Sequence, residues 1–224
     1  RRRLLRPLQE NPGWRVRVIE TDAIGIAVPH TSYTTAGYSR LKVERGRVLR
    51  QVLGAIPIPA GEECVIGNGA YLVTGATGGI GQELVRYLAG FAGVTIALIA
   101  RRAMDLDDSG NPVGLASAVR FARASGAEVL GYRADVCDRN AMKAVLADLR
   151  RRGHAIKGVF HAAGVAGDGF LARKSREEFS AGISAKITGA RYLHELTLED
   201  PVEHFVLFSS IASLLAPPGQ GDYV

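Results

Sequence analysis

Cysteine, methionine and tryptophan are scarce in this sequence, and the scarcity excludes several kinds of protein. The 224 residues include two cysteines, two methionines and one tryptophan. Cys64 and Cys137 lie far apart, and the chain has no CxxC pair and no Cys/His cluster. The sequence therefore predicts neither a disulfide framework nor a zinc site, and we expect no metal. The cytoplasm is the expected compartment.

Long apolar runs are also missing, so we expect no membrane-spanning segment. The chain opens on Arg1-Arg2-Arg3 without the apolar core of a signal peptide, and without Met, which favours a piece of a longer protein. The net charge is +6, but the basic residues are not interleaved with aromatic ones. We therefore expect no nucleic-acid partner. The charge indicates a solvated surface, or a surface for an acidic protein partner.

Strand and helix patterns alternate from about residue 68 onward. The predicted strands cover residues 70–74, 94–100, 128–132, 157–161 and 204–209. The predicted helices cover residues 79–89, 114–124, 140–152 and 175–196, and another begins within 219–224. Such repeated strand–helix units predict an α/β fold with a doubly wound parallel sheet.

Residues 1–67 follow a different pattern. We predict a strand over residues 14–20 and a hairpin over residues 38–53, with Arg45-Gly46 at its tip. The proline-rich stretch at residues 56–61 indicates a linker. The sequence thus predicts two domains, a partial structural subdomain over residues 1–67 and a catalytic one over residues 68–224.

A glycine-rich turn follows the first predicted strand of the larger domain. Glycines in such a turn let the backbone approach a pyrophosphate, and the next helix offers free N–H donors. The alternative is a strand–helix connection that binds no ligand. We predict a dinucleotide site formed by Thr74, Gly75, Thr77, Gly78, Gly79, Ile80 and Gly81.

The ends of the next two strands indicate which dinucleotide binds. Arg101 and Arg102 stand where a carboxylate would favour NAD, and guanidinium groups suit a 2′-phosphate. The pair therefore favours NADPH, unless these are ordinary surface arginines. Asp135 follows the third strand and is placed to meet the adenine edge, or else to cap the next helix.

Lys186, Ser210 and Tyr223 form the predicted catalytic set. A lysine cation favours the phenolate form of tyrosine, whose reference pKa is about 10. Tyr223 could then protonate an alkoxide while Ser210 orients the carbonyl. Taken singly, Lys186 could be a solvated helix residue, Ser210 part of a turn and Tyr223 a packing aromatic.

With these motifs in place, residues 68–224 resemble the catalytic half of a polyketide-synthase ketoreductase domain, of the Rossmann-like short-chain dehydrogenase/reductase superfamily. The segments that carry the resemblance are TGATGGIG at 74–81, ARR at 100–102, ADV at 134–136, HAAGV at 161–165, SAKITGARYLHELT at 184–197, FSSIAS at 208–213 and PGQGDY at 218–223. Lysine on the long helix before the tyrosine, rather than four residues after it, separates this family from ordinary short-chain dehydrogenases. The resemblance adds Val136, Ala162, Ala163 and Gly164 to the expected cofactor site.

The resemblance also implies a substrate and partners. We expect reduction of a β-ketoacyl chain tethered to an acyl carrier protein, within a polyketide synthase whose other domains lie in cis. Two rival interpretations are an inactive structural ketoreductase-like domain and a freestanding short-chain reductase. Residues 1–67 resemble, more weakly, the end of the subdomain that precedes such ketoreductases.

Two departures from the family pattern concern the end of the chain and the product's configuration. The sequence stops one residue after Tyr223, so we expect the domain to be C-terminally incomplete. Members that make the D-hydroxyl carry Leu-Asp-Asp after HAAGV, and this chain keeps only Asp168. Members of the opposite class carry tryptophan where this chain has Leu215. The D-configured (B-type) product is therefore the expected one, unless Asp168 is a plain loop residue.

Overall fold

The computed structural model describes residues 17–21, 39–45, 47–50, 52, 54–55, 57, 65–101, 116–164 and 169–212. The chain divides into two compact units. One consists of Glu63–Val165 and Ser180–Ser209, and the other of Arg1–Glu62, Ala166–Phe179 and Ser210–Val224. The domain boundary expected after residue 67 stays a prediction.

The smaller sheet belongs to the unit that contains the start of the chain. Strands β1 (Arg17–Thr21), β2 (Ser39–Glu44) and β3 (Arg47–Arg50) lie side by side in that order. β2 and β3 are antiparallel, as the hairpin pattern predicts, and Arg45 at the tip has a positive φ of 49°. β1 pairs with β2 in parallel. Residues 14–16 of the predicted first strand lie outside the described residues.

The other unit is built on a five-stranded parallel sheet, which confirms the predicted doubly wound architecture. Its strands are β4 (Gly69–Thr74), β5 (Val94–Ala100), β6 (Glu128–Arg133), β7 (Ile156–His161) and β8 (His204–Leu207). They lie in the order β6-β5-β4-β7-β8, and every neighbouring pair is parallel. The chain thus winds outward from β4 in one direction and then, from β7, in the other.

Both faces of this sheet are covered, because successive strand residues point to opposite sides. Tyr71 and Val73 of β4 pack with Val85 and Leu88 on one face. Leu72 of the same strand packs into the other cluster, around four residues of the helix after β6: Met142, Val145, Leu146 and Leu149. All residues of β4 and β5 are buried, which explains why these segments read as continuous apolar runs rather than alternating ones.

The helices begin and end close to their predicted bounds. They are α1 (Gly79–Leu88), α2 (Ala116–Ala124), α3 (Arg139–Arg151), α4 (Arg176–Ser184) and α5 (Ala190–Leu196), with a short 3-10 turn at Leu171–Arg173. Asp138 caps α3, and its carboxylate accepts hydrogen bonds from the amides of Asn140 and Ala141. Ser175 and Glu178 form a capping box at the start of α4.

The long helix predicted over residues 175–196 is present, but it is not uniform. A π-helical turn, Ala185–Gly189, separates α4 from α5 and includes Lys186. Its i→i+5 bonding is rare in proteins and occurs often at functional sites. Among the helices of the described ranges, none has both the length and the apolar character needed to cross a bilayer.

Candidate active site

The candidate site lies where the winding of the large sheet reverses. β4 and β7 are neighbours in the sheet, and the chain leaves each of them at its carboxyl end. Ligands of open α/β folds bind at this switch point, outside the carboxyl ends of the strands. The predicted loop at residues 74–81 follows β4, and the HAAG segment follows from the last residue of β7.

The backbone of the glycine loop contacts the backbone of the segment after β7. Gly75 has a positive φ of 70°, and a Cβ built on it would lie 2.8 Å from the amide nitrogen of Ala163 and 2.9 Å from the carbonyl carbon of Ala162. A Cβ on Gly81 would lie 2.5 Å from the Gly75 carbonyl oxygen. Neither position therefore has room for a side chain, and the positive φ of Gly75 also favours glycine.

The start of α1 is suited to an anion. Its N-cap is Gly78, which offers no side-chain cap, and its first turn holds no acidic residue. The first N–H groups of a helix have no partner within it, and the helix dipole places partial positive charge there. Thr77, Gly78, Gly79 and Ile80 are exposed. The loop therefore fits a dinucleotide pyrophosphate, as the sequence predicts.

The ends of β5 and β6 hold the residues predicted to select the cofactor. Arg101 directly follows β5 and is exposed. The Asp135 carboxylate accepts a hydrogen bond from the Cys137 amide at 2.8 Å, so its local role is an Asx turn, and the helix cap expected as its alternative is Asp138. Val136 is buried against Gly189 of the π turn. Arg102 lies outside the described residues.

Lys186 is held at the same edge of the sheet by contacts on two sides. Its ammonium Nζ donates a hydrogen bond to the Phe208 carbonyl, just past the end of β8, at 2.8 Å. A Cβ built on Gly164 would lie 2.8 Å from Lys186 Cε, so the side chain passes directly over that glycine. Burial lowers the pKa of Lys186 from its usual value.

Ser210 belongs to the unit that includes Ser210–Val224. Its hydroxyl oxygen accepts a hydrogen bond from the Ala212 amide at 3.1 Å, which orients the side chain. The hydroxyl proton remains available to donate to a substrate oxygen. Tyr223 and Asp168 lie outside the described residues, so the predicted Lys/Ser/Tyr set stays a prediction.

His161, which belongs to the HAAGV motif, makes hydrogen bonds of its own at this edge of the sheet. His161 is 1% exposed, and its ring contacts Thr74 Oγ1 through Nδ1 at 2.7 Å. Its Nε2 lies 2.9 Å from the carbonyl oxygen of Ala185, the first residue of the π turn. A histidine that ends a buried strand is the sequence signal that could have singled it out.

The family model described as KR domain matches residues 69–224, which is more than half of the chain. The chain belongs to the KR domain family. The matched range begins with the first residue of β4 and includes the glycine loop, Lys186 and Ser210.

Two curated relatives of this KR domain are polyketide synthases. Polyketide synthase ThaG of Burkholderia thailandensis is 36% identical over 167 residues, which are 74% of this chain and 3% of that protein. Erythronolide synthase EryA2 of Saccharopolyspora erythraea is 37% identical over 182 residues, which are 81% of this chain and 5% of that protein. The KR domain thus spans a small fraction of the length of these relatives.

Solved ketoreductases have the same fold. The structure reported as A-type ketoreductases from a modular polyketide synthase matches with a TM-score of 0.70 and 34% identity, over 82% of this chain and 38% of that one. Together with the family match, this identifies the chain as a ketoreductase domain of the polyketide-synthase kind. Such domains are nicotinamide-dependent oxidoreductases.

We expect Gly75 and Gly79 of the glycine loop to differ sharply in their tolerance of alanine. Gly75→Ala should lower the free energy of unfolding by about 1–3 kcal/mol, because its Cβ would meet backbone atoms at a positive φ. Gly79→Ala is the matched control, since a Cβ there meets nothing within 4 Å and alanine favours a helix. Urea unfolding of both variants checks this, and equal stabilities would contradict it.

Proposed function

We propose that this ketoreductase domain uses NADPH to reduce the β-keto group of an acyl chain on an acyl carrier protein to a β-hydroxyl. The supporting observation is that one short segment contacts both halves of the site. Residues 162–164 meet Gly75 of the dinucleotide loop at one end and the Lys186 side chain at the other. The predicted catalytic lysine therefore lies beside the predicted cofactor loop.

The residues of the chain fit NADPH at three places. The uncapped start of α1 suits the pyrophosphate, and the exposed Arg101 suits a 2′-phosphate. Residues 162–164 follow the carboxyl end of β7 and lie against Gly75 of the glycine loop. When bound, NADPH supplies the hydride, and the protein supplies the groups that orient and protonate the carbonyl.

Each of the three predicted catalytic residues has its own role. Tyr223 donates a proton to the carbonyl oxygen as the carbonyl is reduced, and Ser210 donates a hydrogen bond that orients the same oxygen. Lys186 favours the phenolate of Tyr223 by its positive charge and so makes the tyrosine a better acid. The bond from Lys186 to the Phe208 carbonyl uses one of its three N–H donors and leaves two for this task.

The proposed partners are inferred from the reaction and from the relatives. The acyl chain reaches the site on the phosphopantetheine arm of a carrier protein, and the net charge of +6 favours an acidic surface on that partner. The curated relatives are far longer than this chain, and we infer that other domains of a polyketide synthase lie in cis.

A Tyr223→Phe variant should test the function most directly. In the full-length protein, we expect it to bind NADPH with unchanged affinity and to lose at least about 99% of β-ketoacyl thioester turnover, because the proton donor is gone. NADPH fluorescence measures the binding, and NADPH oxidation measures the turnover. Turnover near that of the wild type would contradict the assignment. A wild-type protein that binds NADPH but reduces no thioester would favour an inactive structural domain.

Replacing Arg101 should weaken the preference for the phosphorylated cofactor. Arg101→Ala should raise the KM for NADPH by roughly tenfold to a hundredfold, because a charge-assisted hydrogen bond to the 2′-phosphate is lost, and leave the KM for NADH nearly unchanged. Arg151→Ala is the matched control, since that exposed arginine lies at the far end of α3. An unchanged ratio of the two KM values would contradict the role of Arg101.

The D-configured hydroxyl is the product that we propose on the strength of Asp168. Chiral chromatography of the product from a β-ketoacyl thioester should show the D isomer in excess in the wild type. Asp168→Ala should reduce that excess if the carboxylate steers the pantetheine arm. An L product would show that Asp168 does not decide the configuration. One matched solved structure is of A-type ketoreductases, the class other than the B-type proposed here.

A further inference from the structure

When the His161 ring is neutral, the hydrogen bonds around it have only one consistent direction. The Ala185 carbonyl can only accept, so His161 Nε2 carries the proton. In the neutral ring Nδ1 is then an acceptor, and the Thr74 hydroxyl donates to it at 2.7 Å. The oxygen of that hydroxyl in turn accepts from the Ala163 amide at 3.2 Å. The three bonds run from Ala163 through Thr74 and His161 to Ala185.

The electrostatic environment favours the neutral form of the ring. Burial lowers the pKa of His161 below its usual value, the bond to the Ala185 carbonyl opposes that shift, and the charge of Lys186 adds to it. With no proton on Nδ1, the Thr74 hydroxyl has an acceptor, and each polar atom of the ring has a partner.

The main chain of His161 closes a second path to the same place. Its carbonyl accepts from the Phe208 amide at 3.2 Å, which keeps the chain after β8 beside β7. The Phe208 carbonyl then accepts from Lys186 Nζ. Ala185 and Lys186 are adjacent in the chain. The His161 ring binds the Ala185 carbonyl, and Phe208, which pairs with the His161 backbone, binds Lys186.

The π turn also packs directly on the ring. A Cβ built on Gly189, the last residue of the turn, would lie 3.3 Å from His161 Cε1 and 2.8 Å from Val136 Cγ2. A π turn interrupts the usual i→i+4 ladder, and a side chain that bonds to a helix carbonyl is one of the causes of such an interruption. His161 meets the turn both at its first carbonyl and at its last residue.

We propose that His161 is a positioning residue that fixes the π turn and thereby sets the place of the Lys186 ammonium, with Thr74 holding the ring in the required tautomer. We call the hydrogen bond between His161 and Ala185 the clamp. The clamp rests on geometry alone, whereas its contribution to turnover rests on the proposed function.

The test compares His161→Leu with His161→Gln in the full-length protein. Leucine removes the donor, whereas the glutamine amide keeps an N–H group near the Ala185 carbonyl. In His161→Leu we expect faster amide hydrogen exchange in the peptide that covers residues 184–190. We also expect kcat to fall about tenfold to a hundredfold, while the Kd for NADPH stays within about threefold. His161→Gln should restore most of both.

A second histidine supplies the matched control. His154 lies before β7, at the opposite end of that strand, and contacts Thr95 and Glu128 instead. His154→Leu should leave exchange in residues 184–190 and kcat as in the wild type. Wild-type exchange and kcat in His161→Leu would overturn the proposal, and so would an equal effect of His154→Leu.

If His161→Leu does not fold, two substitutions of Thr74 test the proposal instead. Thr74→Val removes the hydroxyl that orients the ring, and Thr74→Ser retains it. We expect faster exchange in residues 184–190 and a lower kcat in the valine variant only, and equal behaviour of the two would overturn the proposal. If the wild type shows no turnover, the proposed function fails, and the exchange data alone still decide whether the clamp exists.

Discussion

The close approach of two chain segments at the switch point is the constraint on which the rest of the site depends. Gly75 lies against the backbone of Ala162 and Ala163 with no room for a Cβ. This contact sets the glycine loop beside the end of β7, and the same end of β7 leads through Gly164 to Lys186. The glycine loop and Lys186, which lie 105 to 112 residues apart in sequence (186 − 81 and 186 − 74), thus become neighbours.

Much of this arrangement could be predicted from the sequence because it depends on local patterns. The bounds of β5 match the predicted strand, since a wholly buried strand is a continuous apolar run with turn signals on both sides. The sheet was predictable from alternating strand and helix patterns. Gly75 and Gly81 were recognisable because glycine spacing in a strand–turn–helix setting reflects a steric requirement.

The π turn and the role of His161 could not be predicted, because neither is a local property. The residues of the turn, Ala-Lys-Ile-Thr-Gly, carry no signal that separates i→i+5 from i→i+4 bonding. What holds the turn lies on β4 and β7, and the tautomer of His161 depends on partners from two other elements. The sequence pattern also left the cap of α3 as an alternative role for Asp135, and the structure assigns that cap to Asp138.

The acceptors around Lys186 have a consequence for how this domain can vary among relatives. Both the Phe208 oxygen that receives the lysine and the Ala185 oxygen that receives His161 belong to the main chain. A point substitution at 185 or 208 changes the side chain and leaves the acceptor in place. Substitutions at these two positions should therefore affect packing but keep both hydrogen bonds, whereas at Thr74, His161 and Lys186 the side chain itself makes the bond.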